Sequence, residues 1–157
     1  MKQKRRWVSI IFLAIVLMVA VIWLVNQGPF YKGKRLDTWL QIADYGDPAD
    51  APAAKDAVRA IGTGALPRLV WLLKAQDTDV PVLYSYRDYV HTLLGRRSEQ
   101  ISARDLNEWG AAGFRILGSN SVPALVKLTS DERQDVRASA AKLLAEIDRN
   151  ASNQVQR

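Results

Sequence analysis

Residues 62–72 read GTGALPRLVWL, and residues 118–128 read GSNSVPALVKL. Gly, Pro, Leu, Val and Leu recur in register 56 residues apart, with Thr/Ser, Ala/Ser and Leu/Val matched between them. A phrase used twice in so short a chain restricts the fold to architectures built from repeated units. Each phrase also has the grammar of a junction between two helices. Gly62 and Gly118 can take positive φ after a last helical residue. A few small or polar residues then turn the chain. Pro67 and Pro123 fall in the first turn of the next helix, where a missing N–H costs nothing. Arg59 and Arg115, three residues before each Gly, match as well. The expected unit is a helical hairpin, and because one hairpin cannot bury its own apolar stripe, hairpins must stack.

Apolar spacing supports helices from residue 36 onward. LDTWLQIADY places Leu36, Trp39, Leu40 and Ala43 on one face, and GDPAD ends it. Asp50 and Pro52 open a helix facing inward with Ala54, Ala57, Val58 and Ile61, stopped by Gly62. The helix after Pro67 turns Leu66, Leu69, Val70 and Leu73 inward, the i, i+3, i+4, i+7 pattern of a half-buried helix. Asp79 and Pro81 start an inserted helix over about 80–95 that carries Tyr84, Tyr86 and Tyr89. Ser102 with Asp105 resembles a capping box before Leu106, Trp109, Phe114 and Leu117. Pro123 opens a helix with Val122, Leu125 and Val126 inward. A last helix from Asp131 or Arg133 aligns Val136, Ala140, Leu143, Leu144 and Ile147. Residues 149–157 read as a polar, frayed tail. No strand is expected.

The amino terminus is of another kind. MKQKRR (1–6) is basic, and residues 7–25 contain no charge and one hydroxyl, Ser9. Nineteen helical residues span roughly 28 Å, about the thickness of a bilayer's hydrocarbon core. Trp7 and Trp23 mark its ends, where indole rings favour the headgroup boundary. A cleaved signal peptide is the rival reading; it needs a shorter core and a small-residue cleavage site, and NQGPFYKG offers none. A lipid-modified Cys is excluded, since the chain has no Cys. Residues 26–35 read as a juxtamembrane linker broken by Gly28, Pro29 and Gly33. The basic cluster Lys2, Lys4, Arg5 and Arg6 outweighs Lys32, Lys34 and Arg35. The expected topology is therefore single-pass, with the amino terminus cytoplasmic and the bulk of the chain extracytoplasmic.

The net charge of +6 suggests nucleic acid, but its distribution does not. Four of the 22 basic residues precede the apolar run, and the remaining 18 stand against 16 acids. A balance of +2 leaves no electrostatic footprint for a phosphate backbone, so no nucleic-acid partner is expected. His91 is the lone histidine, in no company that suggests a metal or a catalytic triad. Asp44, Asp47 and Asp50 flank Gly46 and Pro48 and read as turn and cap residues; a calcium loop needs more oxygen ligands in closer order. GTG at 62–64 lacks the Lys-Ser/Thr of a phosphate loop. Arg137 beside Asp135 reads as part of a polar ladder between repeats. No catalytic residue, metal, cofactor or small-molecule substrate is expected.

The order of four pieces is similar to membrane-anchored HEAT-repeat domain proteins of bacteria: the amino-terminal apolar helix; YKGKRLDTWL; AVRAIGTGALPRLVWLLKAQD; and AAGFRILGSNSVPALVKLTSD followed by VRASAAKLLAEI. The resemblance covers residues 7–148. It implies a small α-solenoid tethered to a membrane and used as a binding surface, and it implies no catalytic residues. The last unit lacks its second helix when read this way.

The expected fold is therefore all-α, with an amino-terminal transmembrane helix followed by a short solenoid of about two and a half HEAT-like hairpins over 36–148. Its expected function is protein binding or scaffolding at a membrane, with an unidentified protein partner. The alternatives are a HEAT-like lyase-type enzyme or accessory subunit, and a structural component of a larger envelope complex. Trp71 aligns with Lys127 and so occupies a position solvated in the sister repeat. Arg68, Trp71, Lys74, Tyr84 and Lys127 are the candidate partner-binding residues, because exposed aromatic and basic side chains dominate interfaces.

Overall fold

The computed structural model describes residues 28–79 and 101–155. The expected transmembrane segment 7–25, with Trp7 and Trp23, and the inserted helix at about 80–95, with Tyr84 and His91, lie outside them. Among the described residues, no helix is long and apolar enough to cross a membrane.

The described chain is mostly helical, in agreement with the all-α expectation. Its one departure lies in the segment read as a linker. β1 (Phe30–Tyr31) and β2 (Lys34–Arg35) pair antiparallel, Phe30 opposite Arg35 and Tyr31 opposite Lys34. The connecting Lys32 and Gly33 both have positive φ, 46° and 76°. A two-residue loop of that kind is a type I′ turn, whose twist matches that of the strands. Two-residue strands are too short to show alternation, and so escape a reading by periodicity.

Among the described residues six α-helices follow: α1 (Leu36–Tyr45), α2 (Ala51–Ile61), α3 (Leu66–Leu73), α4 (Ala103–Leu117), α5 (Val122–Leu128) and α6 (Gln134–Val155). The capping box forms: Ser102 Oγ accepts from Asp105 N, and the Asp105 carboxylate accepts from Ser102 N at 2.7 Å. The bond from Ser102 N, and a second donated by Ser102 Oγ to the same carboxylate at 2.7 Å, hold the Asp105 carboxyl below its ordinary range. At the start of α2, Asp47 makes the turn instead of Asp50. Its side chain accepts from Ala49 N at 2.9 Å and its carbonyl from Asp50 N at 2.8 Å. The end of the chain is a correction, because α6 runs to Val155 through the residues expected to fray. Residues 131–157 contain no Gly or Pro to stop it.

The two phrases become two nearly superimposable corners. Gly62 (φ 62°, ψ −141°) and Gly118 (φ 57°, ψ −130°) each end a helix. Four-residue 3-10 turns follow, Gly62–Ala65 and Gly118–Ser121. Pro67 and Pro123 then stand in the first turns of α3 and α5. Nothing crowds either glycine, so the backbone conformation alone excludes a side chain there.

What the corners join differs from expectation. The sequence pattern predicts each phrase as the loop of one hairpin. The close pairings are instead α1 with α2, α3 with α4, and α5 with α6, while the helices flanking a corner pack chiefly on other elements. The phrase therefore links successive pairs, and the final pair, α5 with α6, is complete rather than missing a helix. α4 lies at the centre, against α1, α2, α3 and α6.

One contiguous core runs from Leu36 to Ile147 and includes Val58, Leu69, Leu72, Leu106, Phe114, Leu125, Val136 and Leu143. Val70 is half-buried against it. Val126, expected beside Leu125 in that core, is instead 53% exposed. α3 and α4 approach closely enough to require two glycines. A Cβ on Gly110 would stand 2.8 Å from Leu73 N, and one on Gly113 would collide with the Leu69 side chain. Trp109 is buried in the same helix, with no hydrogen-bond partner for its indole N–H among the described residues.

Candidate partner-binding surface

The five residues proposed from sequence do not form one solvated strip. Arg68 sits on the outer side of α3, and its guanidinium forks onto Asp37 of α1, Nε to Oδ1 at 3.1 Å and Nη2 to Oδ2 at 2.6 Å. Both side chains are largely covered, 18% and 15% exposed. The same guanidinium lies 4.1 Å from the centroid of the Trp71 ring. Gly28 rests on the aliphatic stem of Arg68, where a Cβ would meet Cγ at 3.5 Å. A planar cation that is forked on one side and stacked on another is a task for Arg and not for Lys. Arg68 and Trp71 thus fasten the amino-terminal segment to α3, and Trp71 is half-buried against the core.

Lys74 follows α3 and reaches the connection between α5 and α6. Its Nζ pairs with Asp131 Oδ2 at 2.7 Å. That bond, with the Arg133 N–H donated to Oδ1, holds the Asp131 carboxyl below its ordinary range. Around this pair, side chains donate to backbone carbonyls at the end of α3 and in the α5–α6 connection. Arg133 Nη1 donates to Lys74 O at 2.8 Å, Arg137 Nη1 to Asp131 O and Glu132 O at 2.8 Å each, and Asn107 Nδ2 to Leu72 O at 2.9 Å and Ala75 O at 3.0 Å. The last carbonyls of a helix have no intrahelical donors, and Arg133 and Asn107 supply them at the end of α3. Arg137 therefore caps a turn rather than forming a ladder with Asp135, whose carboxylate pairs with Arg133. Asn107 carried no sequence signal, because its partners are 32 and 35 residues away.

Of the four proposed residues that are described, Lys127 alone is exposed in the way expected. It stands next to exposed Val126 on α5. Tyr84 lies outside the described residues. Gly62, Pro67, Gly118 and Pro123 are the corner residues described above. Among the described residues, no group of His, Cys, Asp or Glu is placed to hold a metal. No family model, curated protein or solved structure matches the chain.

Two exposed clusters complete the surface. Tyr45 donates to Glu108 Oε2 at 3.1 Å, and Arg104 pairs with Glu108 Oε1 at 2.9 Å. Arg104 first and Tyr45 second hold the Glu108 carboxyl low. The other cluster is the hairpin itself, whose cations each lie over an aromatic ring: Lys32 over Tyr31, Lys34 over Trp39 and Arg35 over Phe30.

Proposed function

We propose that this chain is a membrane-tethered module of HEAT-like helix pairs that binds a protein partner and carries out no catalysis. The observation that carries the reading is the duplicated corner. Two identically built junctions, 56 residues apart, join pairs that share one core, which is the construction principle of helical-repeat proteins. Such proteins present an extended surface assembled from equivalent positions on successive units. The apolar run at 7–25, with its basic flank, supports a single-pass anchor with the amino terminus cytoplasmic and the helix pairs on the far side.

The binding face on this reading includes α5. Val126 is exposed where its counterpart Val70 is packed, and Lys127 is exposed where Trp71 is stacked. A photo-crosslinking residue at Val126 in intact membranes should give a discrete protein adduct, with none from Ala53, which is also exposed, on α2. The absence of any adduct at Val126, or the same pattern at both sites, overturns the assignment of that face. Recovery of the full-length chain from the membrane fraction after carbonate washing tests the anchor separately.

A further inference from the structure

Three residue steps separate Val25, the end of the apolar run, from Gly28, the first described residue. Fully extended, they reach about 10 Å. The headgroup layer on each side of a bilayer is about 5–7 Å thick. If 7–25 spans the hydrocarbon, Gly28 lies no more than a few ångströms beyond the headgroup layer, so β1 and β2 start beside it. What the hairpin offers there is specific. Lys32, Lys34 and Arg35 are exposed, and Phe30 is 55% exposed. Each cation lies over a ring, at 5.4 Å for Lys32 on Tyr31, 4.7 Å for Lys34 on Trp39 and 5.4 Å for Arg35 on Phe30. Aromatic rings and basic side chains are the residues that settle at an anionic membrane interface. Lys32 occupies a left-handed turn position that Asn or Gly fills without strain, so a charge is kept at the tip against its backbone preference.

The hairpin is also not a loose tether. Trp39 Nε1 donates to Tyr31 O at 3.0 Å, Leu36 N to Pro29 O at 3.0 Å, and Gly28 lies on Arg68, which is forked to Asp37. The hairpin is therefore fastened to both α1 and α3.

From these observations we infer that the β1–β2 hairpin is a foot that docks on anionic phospholipid headgroups and holds the helical domain at one fixed orientation to the membrane. The inference rests on the anchor reading given above. The test uses the full chain in nanodiscs of phosphatidylcholine alone or of an equal mixture with phosphatidylglycerol. Amine acylation is followed at each lysine by mass spectrometry. Acylation of Lys32 and Lys34 should slow several-fold on adding the anionic lipid, while exposed Lys55 and Lys142 keep their rates. High salt should return Lys32 and Lys34 to their rates in neutral discs. Unchanged rates at Lys32 and Lys34, in a chain that resists carbonate extraction, overturn the foot and leave the anchor standing. A chain that carbonate strips from membranes overturns the anchor and the foot with it.

Discussion

The corners at 62–65 and 118–121 share a backbone and differ in what is mounted on it. Both glycines have the same unusual conformation, both turns have four residues, and Leu69 and Leu125 are both fully buried beyond them. At the last turn position Ala65 faces Ser121, both fully buried. The next positions diverge, with Val70 packed and Val126 exposed, Trp71 stacked under a guanidinium and Lys127 in solvent. Positions whose environment the corner itself creates are copied between the two units. Positions whose environment depends on a more distant element are not. α3 has the Gly28–Asp37 segment beside it, and α5 has no such neighbour among the described residues.

The largest test of that distinction is in the core. Leu69→Ala and Leu125→Ala should each cost about 2–5 kcal/mol in urea denaturation. Leu69→Ala should lie toward the upper end, because its neighbours Gly110 and Gly113 have no side chains to relax into the space. Equal losses would mean that the two units are packed alike despite those glycines.

Next comes Arg68, which has no counterpart at Ala124. Arg68→Ala should cost about 1–3 kcal/mol through the lost charged hydrogen bonds to Asp37. Arg68→Lys should recover little of it, since an ammonium neither forks nor stacks. Lys127→Ala on α5 should stay within about 0.5 kcal/mol. A full recovery by Lys would show that charge alone, and not the stacked fork, holds the amino-terminal segment.

A smaller effect is expected inside the corners. Ser121 Oγ lies 3.2 Å from Phe114 O and 2.6 Å from Gly118 O. Ser121→Ala should therefore cost about 0.5–1.5 kcal/mol. Ala65→Ser should be nearly neutral, because matched geometry places Val58 O and Gly62 O where the hydroxyl needs them. A large penalty for Ala65→Ser would break the equivalence of the corners.

The smallest difference concerns the matched arginines. Arg59 pairs with Asp56 within its own helix, and Arg115 reaches across to Glu146 of α6 at 2.7 Å. The Arg115 bond holds the Glu146 carboxyl below its ordinary 4.5. A carboxyl lowered in the folded state stabilises it above the unfolded value, and that stability is lost as pH falls through the lowered one. Urea midpoints should drop between neutral pH and about pH 3. Arg115→Gln should flatten the drop more than Arg59→Gln does. The reverse order would assign the acid response to a different pair.

Much of this fold could be read from spacing and punctuation. Glycine and proline act through their own backbones, so the corners were legible, and the periodic positions Leu106, Phe114 and Val136 are buried as their spacing required. The pairing of helices was not legible, because a junction motif shows where the chain turns and not which surfaces then meet. The close approach of α3 and α4 had left a trace in the small residues GAAG at 110–113, spaced one turn apart. The capping of α3 by Asn107 and Arg133 had none. Candidate surface residues were the least legible, since an Arg or Trp that binds a partner and one that fastens two helices have the same spelling.

The connections within the helix pairs set an order in time. Five residues, 46–50, separate α1 from α2, and five, 129–133, separate α5 from α6. Between α3 and α4 lie residues 74–102, 29 of them. The entropy lost on closing a connection rises with the number of residues between the elements it joins. The outer pairs can thus form from local encounters, while the central interface, with its two glycines, must wait for a distant meeting. Slow folding steps follow such long-range closures. The helix that touches most of its neighbours at the end is, by this arithmetic, among the last to find its place.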